Sequence, residues 1–86
     1  MSRGSEKKRK LDMSKNSIIR HLLLEAVKNL PENVRGSIVG TVYSKGSKID
    51  IFAARDYIVE LKNKGIIDEE TAKNLIDIIF KYSKYY

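Results

Sequence analysis

Few side chains in this 86-residue sequence are of a type that could make or break a covalent bond, and their spacing gives them no help. His21 is the single histidine, flanked by Arg20 and Leu22 with no serine or carboxylate nearby in sequence to orient it. Cysteine is absent, which removes thiolate nucleophiles, disulfides and thiolate metal sites together. Asp68, Glu69 and Glu70 form the one dense group of carboxylates. Their place at the start of an apolar-periodic segment explains them through the helix dipole. No GxxxxGK[ST] phosphate loop, GxGxxG turn, HExxH pair or calcium loop occurs. The chain is therefore expected to be no enzyme, with no cofactor, no metal and no small-molecule substrate.

The chemistry that remains is that of charge and stacking. Lysine and arginine number 17 against 11 aspartates and glutamates, a formal charge of +6, which favours a polyanionic partner. Most of the excess lies in residues 1–16, where Arg3, Lys7, Lys8, Arg9, Lys10 and Lys15 face only Glu6 and Asp12. With Leu11 and Met13 almost its only apolar residues, this segment is expected to be a flexible basic tail ahead of one domain over 17–86. The run Lys7-Lys8-Arg9-Lys10 suits a phosphate backbone or a minor groove. At the other end, Lys81-Tyr82-Ser83-Lys84-Tyr85-Tyr86 interleaves cations with aromatics. Such a run can stack on unpaired bases or cap a core or interface.

Positioning these groups falls to helices. From Asn16 or Ser17, either a good N-cap, Ile19, Leu22, Leu23, Ala26, Val27 and Leu30 recur at helical spacing up to Pro31. Residues 34–52 carry two patterns: β-rich Ile38 to Tyr43 with alternating Ile49 and Ile51 reads as a hairpin, while Val34, Ile38 and Val42 share a helical face closed by Gly46. Gly36 and Gly40 weigh against the helix. Residues 51–64 put Ala54, Tyr57, Ile58 and Leu61 on one face, with Gly65 as the stop. Asp68 caps a last helix with lysines near its end and two apolar stripes, Ala72-Leu75-Ile76-Ile79 and Leu75-Ile78-Tyr82-Tyr85.

The run from Val42 to Ile67, with Leu61, polar residues, Gly65 and two isoleucines at its end, resembles the second helix, turn and third helix of a winged-helix domain. Both archaeal DNA-binding regulators and the small winged-helix proteins of archaeal and eukaryotic small ribosomal subunits show this pattern. The resemblance spans roughly residues 19–67 and departs after Ile67, where an acidic-start helix replaces the two-stranded wing. It implies a mainly α fold: a wingless helix-turn-helix core of three helices plus a C-terminal helix, with αββαα around a central hairpin as the alternative. It also implies that the third helix turns Phe52, Arg55, Val59 and Lys62 outward. Arg55 would then pair with a guanine edge, and Lys45, Lys48 and Lys62 would meet phosphates.

The expected partner is DNA or structured RNA, with Lys7, Lys8, Arg9, Lys10, Lys45, Lys48, Arg55 and Lys62 as its contacts. Leu75, Ile78, Tyr82 and Tyr85 are the expected protein interface, for a homodimer or a larger complex. A second function stays open: a small basic accessory subunit of a replicative polymerase holoenzyme or a ribosomal subunit, acting through protein contacts. No apolar stretch approaches bilayer length and no signal-peptide pattern opens the chain, so an intracellular, cytoplasmic or nucleoid-associated protein with no membrane partner is expected.

Overall fold

Residues 9–85 are described by a computed structural model. The chain runs through β1 (Arg9–Leu11), a 3₁₀ turn (Met13–Lys15), α1 (Asn16–Ala26), α2 (Glu32–Lys48), α3 (Ile51–Asn63), α4 (Glu69–Lys81) and β2 (Ser83–Tyr85). Four helices surround one core, and the two strands pair antiparallel, Arg9 with Tyr85, Lys10 with Lys84 and Leu11 with Ser83.

The stretch that could have been a hairpin is helical from Glu32 to Lys48, and the central-hairpin alternative is overturned. Ile38, Val39, Val42 and Tyr43 are all buried on its inner side. Burying that face against α1 and α3 outweighs the roughly 1 kcal/mol by which each interior glycine disfavours a helix. Gly46 does not close α2 but lies buried within it. A Cβ there would stand 2.7 Å from Leu11 Cδ1 and 2.9 Å from its Cγ, so β1 can cross α2 only over a glycine.

α1 ends at Ala26, short of Pro31. Val27 and Lys28 donate to the carbonyls of Leu24 and Glu25 three residues back, a tighter winding that uses up the last turn. Arg35 donates from its guanidinium to the Lys28 carbonyl, 3.2 Å. Neither Asn16 nor Ser17 caps α1. The capping side chain is Asp12, one turn earlier, which accepts from Ser14 N at 3.1 Å. Gly65 at the end of α3 and Asp68 at the start of α4 act as read, and Asp50 adds an unanticipated cap at the start of α3. Asp50 accepts from Ala53 N at 2.9 Å, Asp68 from Thr71 N at 2.8 Å, and Gly65 adopts φ +79°.

The expectation of a flexible tail over residues 1–16 fails for Arg9–Lys15, which belong to the folded body. Leu11 is fully buried among the residues of the core, and Asp12 N donates to Tyr82 O at 2.8 Å. The wing is absent after Ile67, as expected, and the small sheet instead joins the two ends of the described chain.

Candidate nucleic-acid interface

The helix order decides where charges collect. α4 runs antiparallel to α3, so Phe80 near its end meets Phe52 at the start of α3, ring centroids 5.8 Å apart and edge to face. Leu11 reaches Gly46 near the end of α2, which brings the ribbon of β1 and β2 to the same end of the bundle. That end gathers Lys45 and Lys48 from α2, Arg55 from α3, Lys81 from α4, and Arg9, Lys10 and Lys84 from the ribbon. The opposite end holds the acidic helix starts, Glu32 of α2 and Glu69 and Glu70 of α4. Asp50 and Asp56 lie among those cations, and Lys62, Lys64 and Lys73 near those carboxylates; the molecule measures 44 × 27 × 18 Å.

Within the ribbon the alternation of side chains sets Leu11 inward and Lys10 and Lys84 together on the outer side. Like charges directly opposite one another destabilise a strand pair. Asp12 offsets part of this at 3.8 Å from Lys84 Nζ. Hydrogen bonding from the Ser14 side chain, against a smaller effect of burial, holds the Asp12 carboxyl below its ordinary value of 3.8; Lys84 and Lys15 act in the same direction.

Arg9 is fixed by four contacts. Its Nε donates to Ser83 Oγ at 2.7 Å and its guanidinium donates to Phe80 O at 3.2 Å. The same guanidinium lies 5.0 Å from the Phe80 ring centroid and 5.6 Å from that of Tyr85. Arg55 lies 5.4 Å from the Phe52 centroid and donates to Asp56 Oδ1 at 3.3 Å.

Several anticipated positions differ from this arrangement. Phe52, Arg55, Val59 and Lys62 do not form the outward stripe of α3. The most exposed side of that helix presents Phe52, Asp56, Glu60 and Asn63, while Val59 and Lys62 border a groove shared with Ala72, Lys73 and Ile76 of α4. The cause is α4, which packs along the flank of α3 where a wing was missing. Of the expected interface residues, Leu75 is in the core, Ile78 and Tyr82 line a shallow groove with Leu22 and Ala26 of α1, and Tyr85 is 65% exposed on β2. Lys7 and Lys8 lie outside the described residues. His21 is exposed on α1, and among the described residues no three histidine or acidic side chains converge as a metal site. No helix among them is long and apolar enough to cross a membrane.

The chain matches no family model, no curated protein and no solved structure.

Reasoning from sequence missed the ribbon. Two short runs, Arg-Lys-Leu and Ser-Lys-Tyr, 74 residues apart from Arg9 to Ser83, carry no pairing signal of their own. Leu11, an isolated leucine after a basic run, was the one available hint.

Proposed function

We propose that this is a non-catalytic nucleic-acid-binding protein whose contact surface is the cationic end of the bundle. The observation that carries the reading is the gathering of Arg9, Lys10, Lys45, Lys48, Lys81 and Lys84 from four elements at one end of the bundle. A phosphate backbone laid across that end is attracted by the summed field of these side chains.

In its finer form the reading is of helix-turn-helix type, with α2, the connection Ile49–Asp50 and α3 meeting duplex DNA. Lys45 and Lys48 at the end of α2 stand where such a unit meets phosphates. Arg55 must leave Asp56 to reach a base, and Asp56 and Glu60 repel phosphates along the exposed side of α3. Phosphate contacts therefore dominate, and sequence preference is weak.

The test is binding of the whole chain to a labelled duplex across a salt series. Affinity should fall steeply between 50 and 200 mM salt, by about tenfold or more. K10A with K84A should weaken every sequence alike and flatten the salt slope, whereas R55A should reduce whatever sequence preference exists. No retention of duplex or single strand at low salt would sink the reading.

The accessory-subunit reading is favoured by a different observation. The groove between α1 and α4 sets Leu22, Ala26, Ile78 and Tyr82 among Glu25, Asn74, Asp77 and Lys81, and Ile18 and Leu24 are exposed on α1. Such apolar surface suits a protein neighbour. Affinity purification from the native cell with nuclease treatment separates the two: a polymerase or ribosomal subunit that stays bound after digestion supports this second reading.

A further inference from the structure

Arg55, Phe52, Phe80, Arg9 and Tyr85 form a continuous series in which guanidinium groups and rings adjoin, crossing from α3 through the end of α4 to the ribbon. Core packing does not account for its outer members. Tyr85 is 65% exposed and Phe52 42% exposed, in contrast to Tyr82, which is half-buried against α1. Arg9, at the middle of the series, has its orientation set by Ser83 Oγ and the Phe80 carbonyl. Lying against both the Phe80 and Tyr85 rings, it steadies the exposed Tyr85 ring in advance, so that a ligand stacking on that ring loses less further entropy.

We propose that this series is a stacking site for unpaired nucleobases, with Tyr85 and Phe52 offering ring faces and the backbone of the same strand passing round the ribbon to Lys10 and Lys84 on its other side. The proposal rests on the nucleic-acid reading above and names the form of nucleic acid it favours. Bases within a duplex already cover one another's faces, whereas an unpaired base exposes its own. Rings and guanidinium planes are what such faces stack on. Phe52 has no hydrogen-bonding group, so this selection is for unpaired over paired strands rather than for sequence. The positive side chains beside the rings distinguish the site from an ordinary exposed apolar patch.

The experiment measures anisotropy of a labelled mixed-sequence 12-nucleotide DNA strand, and of its duplex, titrated with the whole chain at fixed salt. The single strand should bind more tightly than the duplex. Y85A should weaken single-strand binding about five- to a hundredfold, the loss of one stacked base, and leave duplex affinity unchanged. Y85W should retain the affinity. Since the natural chain has no tryptophan, quenching of the new tryptophan's emission by the bound strand reports stacking directly. K10A with K84A should reduce the single-strand salt slope by about 0.7 per lysine. Equal binding of both forms with Y85A unaffected overturns the stacking site while leaving the nucleic-acid reading intact. Displacement of the strand by polyglutamate as readily as by competing DNA, or unchanged Y85W emission, also overturns it and points to an acidic partner. Failure to bind either strand at low salt overturns both.

Discussion

Asp68 shows how much one exposed side chain can fix. Hydrogen bonding by Thr71, through its side chain first and its backbone N–H second, outweighs burial and holds the Asp68 carboxyl below 3.8. A carboxylate whose acidity is increased by folding stabilises the fold above its unfolded value, and that contribution is lost as pH falls through the lower, folded value. Asp68→Ala should therefore lower Tm by a few degrees at neutral pH, with the gap to the natural protein closing below about pH 3.8. Asp68→Asn should keep the cap and lose the pH dependence. Thermal melts from pH 7 to pH 2 check both, and a gap that persists at the lowest pH would contradict the assignment. This residue was readable in the sequence because a cap depends only on its near neighbours. Arg55 meets Asp56 beside it and Phe52 one turn earlier within α3 itself, so these contacts are local too; what no local pattern specifies is how one helix packs on another. Tyr43 was hidden for that reason, its hydroxyl buried with no hydrogen-bond partner among the described residues and its ring 4.7 Å from the Arg20 guanidinium.

At the scale of the element, α2 contains glycines of two kinds that the sequence presents alike. A Cβ added at Gly36 or Gly40 would meet nothing within 4 Å, while one at Gly46 would run into Leu11. The first two lower helix propensity with no packing gain inside the chain, so Gly40→Ala should stabilise the protein by about 0.5–1 kcal/mol. Gly46→Ala gains the same propensity but must push a fully buried leucine aside, an overpacking that costs about 1–3 kcal/mol and leaves the variant less stable. Opposite shifts in the urea midpoint at constant m-value are the expected result. Two shifts of one sign would mean that β1 does not cross α2 where Gly46 lies. Propensity argued for a hairpin over 34–52 because it sees glycines and β-branched residues only. The helix follows from the inward face of Ile38, Val42 and Tyr43, and that face has meaning only once α1 and α3 are there to receive it.

Taken whole, the described fold is closed by the pairing of β1 with β2. α1, α3 and α4 follow from periodicity, glycine and the Asp68 cap, but β1 and β2 lie beyond any such signal. Residues read as a solvated arm instead supply a core side chain. Leu11 is enclosed by the core with no exposure, and β1 touches both α2 and α3 as well as β2. If the first described strand were only a loosely tethered arm, Leu11→Ala would be silent. Because it fills the seam above Gly46, its removal should cost about 2–5 kcal/mol. A domain of this size has only about 4–13 kcal/mol in total, so the loss is a large share of its stability. It should lower Tm by about 8 °C or more, at about 4–8 °C per kcal/mol. Calorimetry of L11A beside L24A makes the comparison direct, since Leu24 is 44% exposed on α1 and its loss should shift Tm little. Closing the chain in this way also sets Arg9 against Phe80, which meets Phe52 and through it Arg55. A variant that frees β1 should therefore weaken nucleic-acid binding even with every cation retained. L11A assayed well below its own melting temperature is the case to measure.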